Sequence, residues 1–307
     1  MTQVYGCDFP SDRDAITLAD WAEAVMIVEE ITEFSEADLR GRIVEQAEDE
    51  VDGDGPPGRQ QVEDILREVS RRERFAPKSY PFRRTEFGIE RAEDRFLSIY
   101  SFLLLLSMRE APFRKSVYSN EISPLFDFVG AAALTDLFGS RARTIRFGWP
   151  VTGDRPNGPR VALEWLASQL GLKHDKDAPL RKRLKDGGVD VVVWRPFEDG
   201  RLGFPVLLAQ CTVGQREWEQ KGRDIQRALW RKYLGLPGSP PTALVLPFCV
   251  HRPDRFENWE IVSHEVTFLI DRIRLLDLLT EVDPTAIAEH EKIDLWTTER
   301  MQDLALS

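Results

Sequence analysis

Two short apolar runs, Val189–Trp194 and Val206–Cys211, flank the segment RPFEDGRLGFP, and together they constrain the fold more than any other feature of the chain. The first is rich in β-branched residues and both are too short for a core helix, so each predicts a buried strand. Glu198-Asp199-Gly200 supplies the turn, and the whole segment predicts a β-hairpin. A turn centred on Gly200 fixes the antiparallel register and sets Asp190 opposite Gln210. One of these residues begins the first strand and the other ends the second, so both fall at the same open end of a sheet. Thr212 lies two residues further on and points the same way if the strand continues.

The rest of the chain places this hairpin in context. Leu18, Trp21, Ala22, Val25, Val28 and Ile31 recur at helical spacing, with Asp12 or Asp14 as the cap. Further helices are predicted at Gln61–Arg74, Ile89–Arg109 and Pro124–Phe138, and FLSIYSFLLLLSM reads as a helix buried on nearly all sides. EDEVDGDGPPG is a loop. After residue 140 the pattern changes. A turn-rich loop over Gly148–Pro159 leads into the helix VALEWLASQLG, which Gly171 ends. A short strand is predicted at Leu172–His174, then the hairpin, a helix over Gln215–Leu234 and a strand over Ala243–Phe248. A strand at Val266–Ile270 and helices at Arg272–Glu281 and Pro284–Leu306 complete the chain. The expected class is α/β (α+β): a mainly helical domain over 1–140, then a sheet-containing domain over 141–307 with a helical extension.

Charge narrows the partners. The 307 residues carry a net charge of -11, but residues 1–140 hold -12, residues 141–240 hold +8 and residues 241–307 hold -7. The basic third faces either a polyanion such as nucleic acid or the chain's own acidic half. Phe96–Met108 is too short to cross a bilayer core of about 30 Å, so no membrane partner is expected. The N-terminus lacks the basic and apolar regions of a signal peptide, which predicts a cytoplasmic protein. Cys7, Cys211 and Cys249 are widely spaced, and the four histidines form no HExxH, so neither a disulfide framework nor a zinc cluster is encoded.

An Asp at one strand end, an acid or amide on the next strand and a nearby Lys is the arrangement that metal-dependent phosphodiester cleavage requires. The run from Glu164 through KDGGVDVVVW and LLAQCTVG to EWEQKGRDI resembles the PD-(D/E)xK, or restriction-endonuclease-like, nuclease superfamily in the branch where Gln replaces the second acid. It is similar to uncharacterised nucleases of bacterial anti-phage loci that read DGGxD, then QCT, then Lys-x-x-Asp-Ile. The resemblance covers residues 159–248 and implies an αβββαβ core with a mixed sheet. It also implies an endonuclease that cuts DNA with Mg²⁺ or Mn²⁺ and acts as a defence effector beside a protein partner from the same locus. RNA as substrate, a homo-oligomer, and a degenerate module that binds nucleic acid without cutting it all remain open.

Carried onto this chain, the resemblance makes Asp190 a metal ligand, Gln210 a ligand through its amide oxygen, and the backbone carbonyl of Cys211 a third. Glu164 matches the helix acid that completes such sites, or else is a solvated helix residue. The motif's Lys belongs at position 212, where this chain has Thr. Lys221 is the replacement, since on a continuous helix it falls on the apolar, sheet-facing side, although a snorkelling stem explains that placement too. Arg181, Lys182, Arg183 and Lys185 contact backbone phosphates or form a solvated loop. Asp186, just before two glycines, reads as turn chemistry, and Cys211 as a buried strand residue.

Overall fold

The computed structural model describes residues 9–10, 12–46, 57–92, 95–108, 122–178, 186–216, 218–250 and 256–306, the side chains of 256–258 and 306 excepted. Helix α1 (Ala15–Val28) starts where Asp14 accepts the backbone N–H groups of Ile16 and Thr17, the capping that its sequence foretells. Strand β1 (Glu33–Ser35), helices α2 (Glu36–Gln46) and α3 (Arg59–Phe75), and strands β2 (Phe82–Arg84) and β3 (Gly88–Arg91) follow. The three strands form a small antiparallel sheet in the order β1-β3-β2. That sheet is absent from the sequence reading, which assigns Ile89–Arg91 to the helix over Ile89–Arg109 although they belong to β3, because its strands are three or four residues long and show no alternation. Helix α4 (Leu97–Ser107) is buried from Ile99 to Ser107, as its composition requires, and α5 (Ile122–Phe138) follows it.

The second half contains β4 (Arg143–Arg146), α6 (Pro159–Gln169), β5 (Val191–Trp194), β6 (Val206–Cys211), α7 (Trp218–Lys221) and α8 (Arg227–Tyr233). Strand β7 (Thr242–Val245), α9 (Phe256–Glu265), β8 (Phe268–Ile270), α10 (Arg272–Leu279) and α11 (His290–Leu306) complete it. The protein is thus mixed α/β. Its main sheet runs β4-β5-β6-β7-β8, antiparallel across the first two pairings and parallel across the last two.

Three expectations are corrected here. Leu172–His174 is not a strand: Leu172 N–H bonds back to Ala167 O and His174 Nδ1 meets Tyr233 O, so the chain wraps the end of α6 instead. The sheet's first strand is β4, whose Arg-rich sequence suits an exposed edge and hides it from a search for apolar runs. The helix over Gln215–Leu234 is two short helices, interrupted near Gly222, where an added Cβ would lie 3.2 Å from Glu265 Oε2.

Both faces of the sheet are covered, which is why its strands read as unbroken apolar runs. Val191, Val193, Leu207, Ala209 and Val245 share one core with Leu125, Phe126 and Val129 of α5 and with residues of α1, α3, α4 and α10. Val192, Trp194, Val206 and Leu208 face the other way, against Leu163 and Leu166 of α6 and Trp230 and Tyr233 of α8. Apolar packing therefore runs continuously across residue 140.

A buried ionic network reinforces that continuity. Arg72 on α3 meets Glu23 and Asp20 of α1 and Glu68 of its own helix at 2.7–2.9 Å, and Arg272 on α10 meets Asp20 at 2.7 Å. Tyr80 and Tyr100 donate their hydroxyls to Glu23. Arg272 also donates to Pro247 O and Ser107 Oγ.

Candidate functional site

The hairpin register is the one that its turn dictates: Val191 pairs with Ala209 and Trp194 with Val206. The paired ladder ends at Val191 and Ala209, with Asp190 and Gln210 the next residues out on the two strands. Asp190 is held on all sides. Its N–H donates to Ala209 O at 2.8 Å, its carbonyl accepts from Phe147 and Gly148 N–H, and its Oδ2 accepts Cys211 N–H at 2.9 Å. The two glycines before it form a turn capped by Asp186 Oδ1 on Gly188 N–H, the local role expected of Asp186.

A second carboxylate joins Asp190 from the helical half. Asp127 on α5 is 2% exposed and pairs with Arg146 of β4 at 2.9 Å. A Cβ built on Gly148 would lie 2.7 Å from Asp190 Oδ1 and 3.2 Å from Asp127 Oδ2, so the two oxygens are separated by no more than the sum of those distances. Gly130 brings α5 this close to β6, since a Cβ there would sit 3.0 Å from Cys211 Sγ. Burial, weakened only in part by Arg146, pushes the Asp127 carboxyl up to about 7. Burial and then the charge of Asp127 push Asp190 well above the usual carboxylate range, against the Cys211 N–H that favours its ionised form. The same burial and neighbouring acids raise the Cys211 thiol and disfavour its thiolate.

Gln210, 9% exposed, donates its Nε2 to Asp224 Oδ2 at 3.1 Å, while its Oε1 is buried without a hydrogen-bond partner. Lys221 Nζ lies 3.4 Å from the same Asp224 oxygen. Lys221 thus joins Gln210 through Asp224, not by riding on the apolar face of a long helix. A Cβ on Gly188 would fall 2.9 Å from Asp224 Cβ, and Trp230 Nε1 donates to Gly187 O, so the DGG turn presses on the α7–α8 segment. The separated sequence motifs DGGVD, QCT and KGRD form one packed unit.

The remaining predicted residues fare differently. Glu164 faces solvent, with its side chain 57% exposed, and meets Lys176 at 3.5 Å. Cys211 engages the site through its N–H on Asp190. Arg181, Lys182, Arg183 and Lys185 lie outside the described residues. Sequence reasoning misses Asp127 and Asp224. The signal for Asp127 is its isolation as the one charged residue in ISPLFDFVGAAALT, because an acid inside an apolar helix must find a partner.

Among the described residues no three His, Cys, Asp or Glu side chains converge in a metal-holding group. The oxygens offered here are two carboxylates and an amide. No described helix is long and apolar enough to cross a membrane. No family model, no curated protein and no solved structure matches this chain.

Proposed function

We propose that the chain is a divalent-metal-dependent nuclease that hydrolyses phosphodiester bonds in DNA. One observation carries this reading: the buried carboxylates of Asp190 and Asp127 come together beside Gly148 at one end of a sheet, and Gln210, next along β6 from the Ala209 that Asp190 N–H bonds, leaves an amide oxygen without a partner. The order α5, β4, α6, β5, β6, α7–α8, β7 supports it, differing from the αβββαβ succession that the resemblance implies by the helix α6 between the first two strands. In this arrangement Asp127, not Glu164, is the acid supplied by the leading helix.

The donor set fits a hard cation. Two carboxylates too close to ionise together comfortably and an orphaned amide oxygen suit Mg²⁺ or Mn²⁺, and Asp190, Asp127 and Gln210 would hold it. Such an ion supplies charge stabilisation at the scissile phosphate and a more acidic water. The chain's own residues do the rest. Burial favours the protonated forms of Asp127 and Asp190, a preference that a bound cation would offset, and Arg146 fixes Asp127 against β4. Lys221 provides the positive charge that Thr212 cannot, at a point tied to Gln210 through Asp224.

Nicking of supercoiled plasmid by the purified protein, with and without Mg²⁺ or Mn²⁺, tests the reading. The wild type should cut only with metal, and Asp190→Ala should fall to background. Lys221→Ala should lose on the order of 10²–10³ in rate while still binding metal, because its task is transition-state charge. A rival reading, a nuclease-like module that binds nucleic acid and scaffolds a complex, is favoured by Thr212 and by the bonds already engaging Asp127 and Asp190. Retained DNA binding with no cleavage under any metal would select it, and cleavage confined to RNA would change the substrate class.

A further inference from the structure

We propose that Asp224 is a positioning residue that makes an amide obligatory at position 210. The inference deepens the nuclease reading above and rests on it for the identity of what the amide faces. Ionised carboxylates only accept hydrogen bonds, so Asp224 Oδ2 can be satisfied by Gln210 only through Nε2, and it is, at 3.1 Å. That choice fixes the amide flip. Oε1 is left as the end of the side chain that faces elsewhere, buried and without a partner, in a residue only 9% exposed. A buried acceptor left open in this way is a poor structural element and a good ligand for a cation.

Asp224 is itself fixed. Gly188, at φ 77°, leaves the space that Asp224 fills, and Lys221 Nζ approaches the same Oδ2 at 3.4 Å. One carboxylate oxygen therefore orients the amide and holds the ammonium. The two departures from the motif, Gln at 210 and Thr at 212, form a single device: Asp224 needs a donor from position 210, and it gathers the lysine that position 212 lacks. A glutamate at position 210, although closer to the usual motif, would set two carboxylates against each other across about 3 Å.

The test uses the full chain. Mn²⁺ affinity is measured by calorimetry, and the melting temperature is measured separately at pH 8 without metal, for wild type, Gln210→Glu and the double variant Gln210→Glu with Asp224→Asn. Gln210→Glu should bind Mn²⁺ about tenfold more weakly or worse, as expected for a disrupted supporting hydrogen bond, and should melt lower. The double variant should regain both, since the amide introduced at position 224 can donate to the carboxylate introduced at position 210. A Gln210→Glu protein equal to wild type in both readouts, or a double variant no better than the single, overturns the proposal. Wild type that binds no Mn²⁺ sinks the nuclease reading instead. The metal-free melting temperatures then judge the pairing alone, recovery in the double variant upholding it and no recovery ending it.

Discussion

The protein contains two buried polar clusters built on opposite principles. In the network that ties the helical half to α10, Arg72 and Arg272 are fully buried and are matched by Asp20, Glu23 and Glu68, with Tyr80 and Tyr100 completing the shell of Glu23. Burial works to raise both Asp20 and Glu23; Arg272 and Arg72 outweigh it at Asp20 and hold that carboxyl below the usual range, whereas Glu23 stays raised. At the sheet end, Asp127 and Asp190 have Arg146 between them, both carboxyls are raised, and the Gln210 amide oxygen has no partner. Three cations, Arg71, Arg72 and Arg272, meet three acids in the first cluster, and one meets two in the second; that difference in charge balance separates the cluster that ties the elements together from the one proposed above to take a cation.

The sharpest break between them is predicted in stability. Arg272→Ala leaves Asp20 buried without one of its two cations and removes the tie from α10 to α1. Unpairing a buried ion in this way typically costs about 3–5 kcal/mol. Asp127→Asn should cost far less at pH 8, because Asn keeps an acceptor for Arg146 and removes a charge that its site disfavours. Urea unfolding of the two variants decides, and equal losses would erase the distinction.

A smaller effect, on the order of 2–4 kcal/mol, is expected from pH. Asp127 ionises at about 7 when folded, against an ordinary value of 3.8, so the folded protein binds that proton more tightly. Its contribution is fully present below about pH 4 and is lost as pH rises to 7. Asp20 and Glu68 are lowered, so their contribution is present above the ordinary range and is lost as pH falls below it. Asp127 on the one side and Asp20 and Glu68 on the other therefore titrate in different windows, while burial raises Glu23 within the Arg72 network. Subtracting the Asp127→Asn stability profile from that of wild type should isolate a fall between pH 4 and 7, and a flat difference would mean that Asp127 is not destabilised by its surroundings.

What the sequence discloses follows the range of the interactions involved. The pairing of Val191 with Ala209, which brings Asp190 and Gln210 to the ends of their strands, is legible because a hairpin turn sets register over a dozen residues. The burial of α4 is legible from composition alone. Asp127 is not, since it reaches Asp190 only after α5 has packed on a sheet formed from distant segments. Glu164 matches the motif because a helix stands before the hairpin, but α6 presents that residue to solvent. Lys221 is reached by an incomplete argument: the helix that would carry it is interrupted, and Asp224, visible in KGRD, makes the connection.

The smallest predicted effect is the one that most directly sharpens the contrast. If the sheet-end cluster takes a cation, Mg²⁺ should stabilise the native protein by mass action, about 1.4 kcal/mol at ten times the dissociation constant. For a chain of this size that corresponds to a rise of roughly 2–4 °C in melting temperature. The buffer should be at pH 8, where both raised carboxyls yield their protons most readily to a competing cation, and ionic strength should be matched with NaCl so that screening is not mistaken for binding. Asp190→Asn and Asp127→Asn should each remove the rise, because each takes away one of the two charges that the cation would offset. Variants of the helical network, by contrast, should keep the same Mg²⁺ increment on a lowered baseline, Glu68→Gln being a mild choice since Arg72 retains Glu23 and Asp20. An increment that survives in both Asp variants would put the bound cation elsewhere on this acidic chain and leave the sheet-end carboxylates with a structural role only.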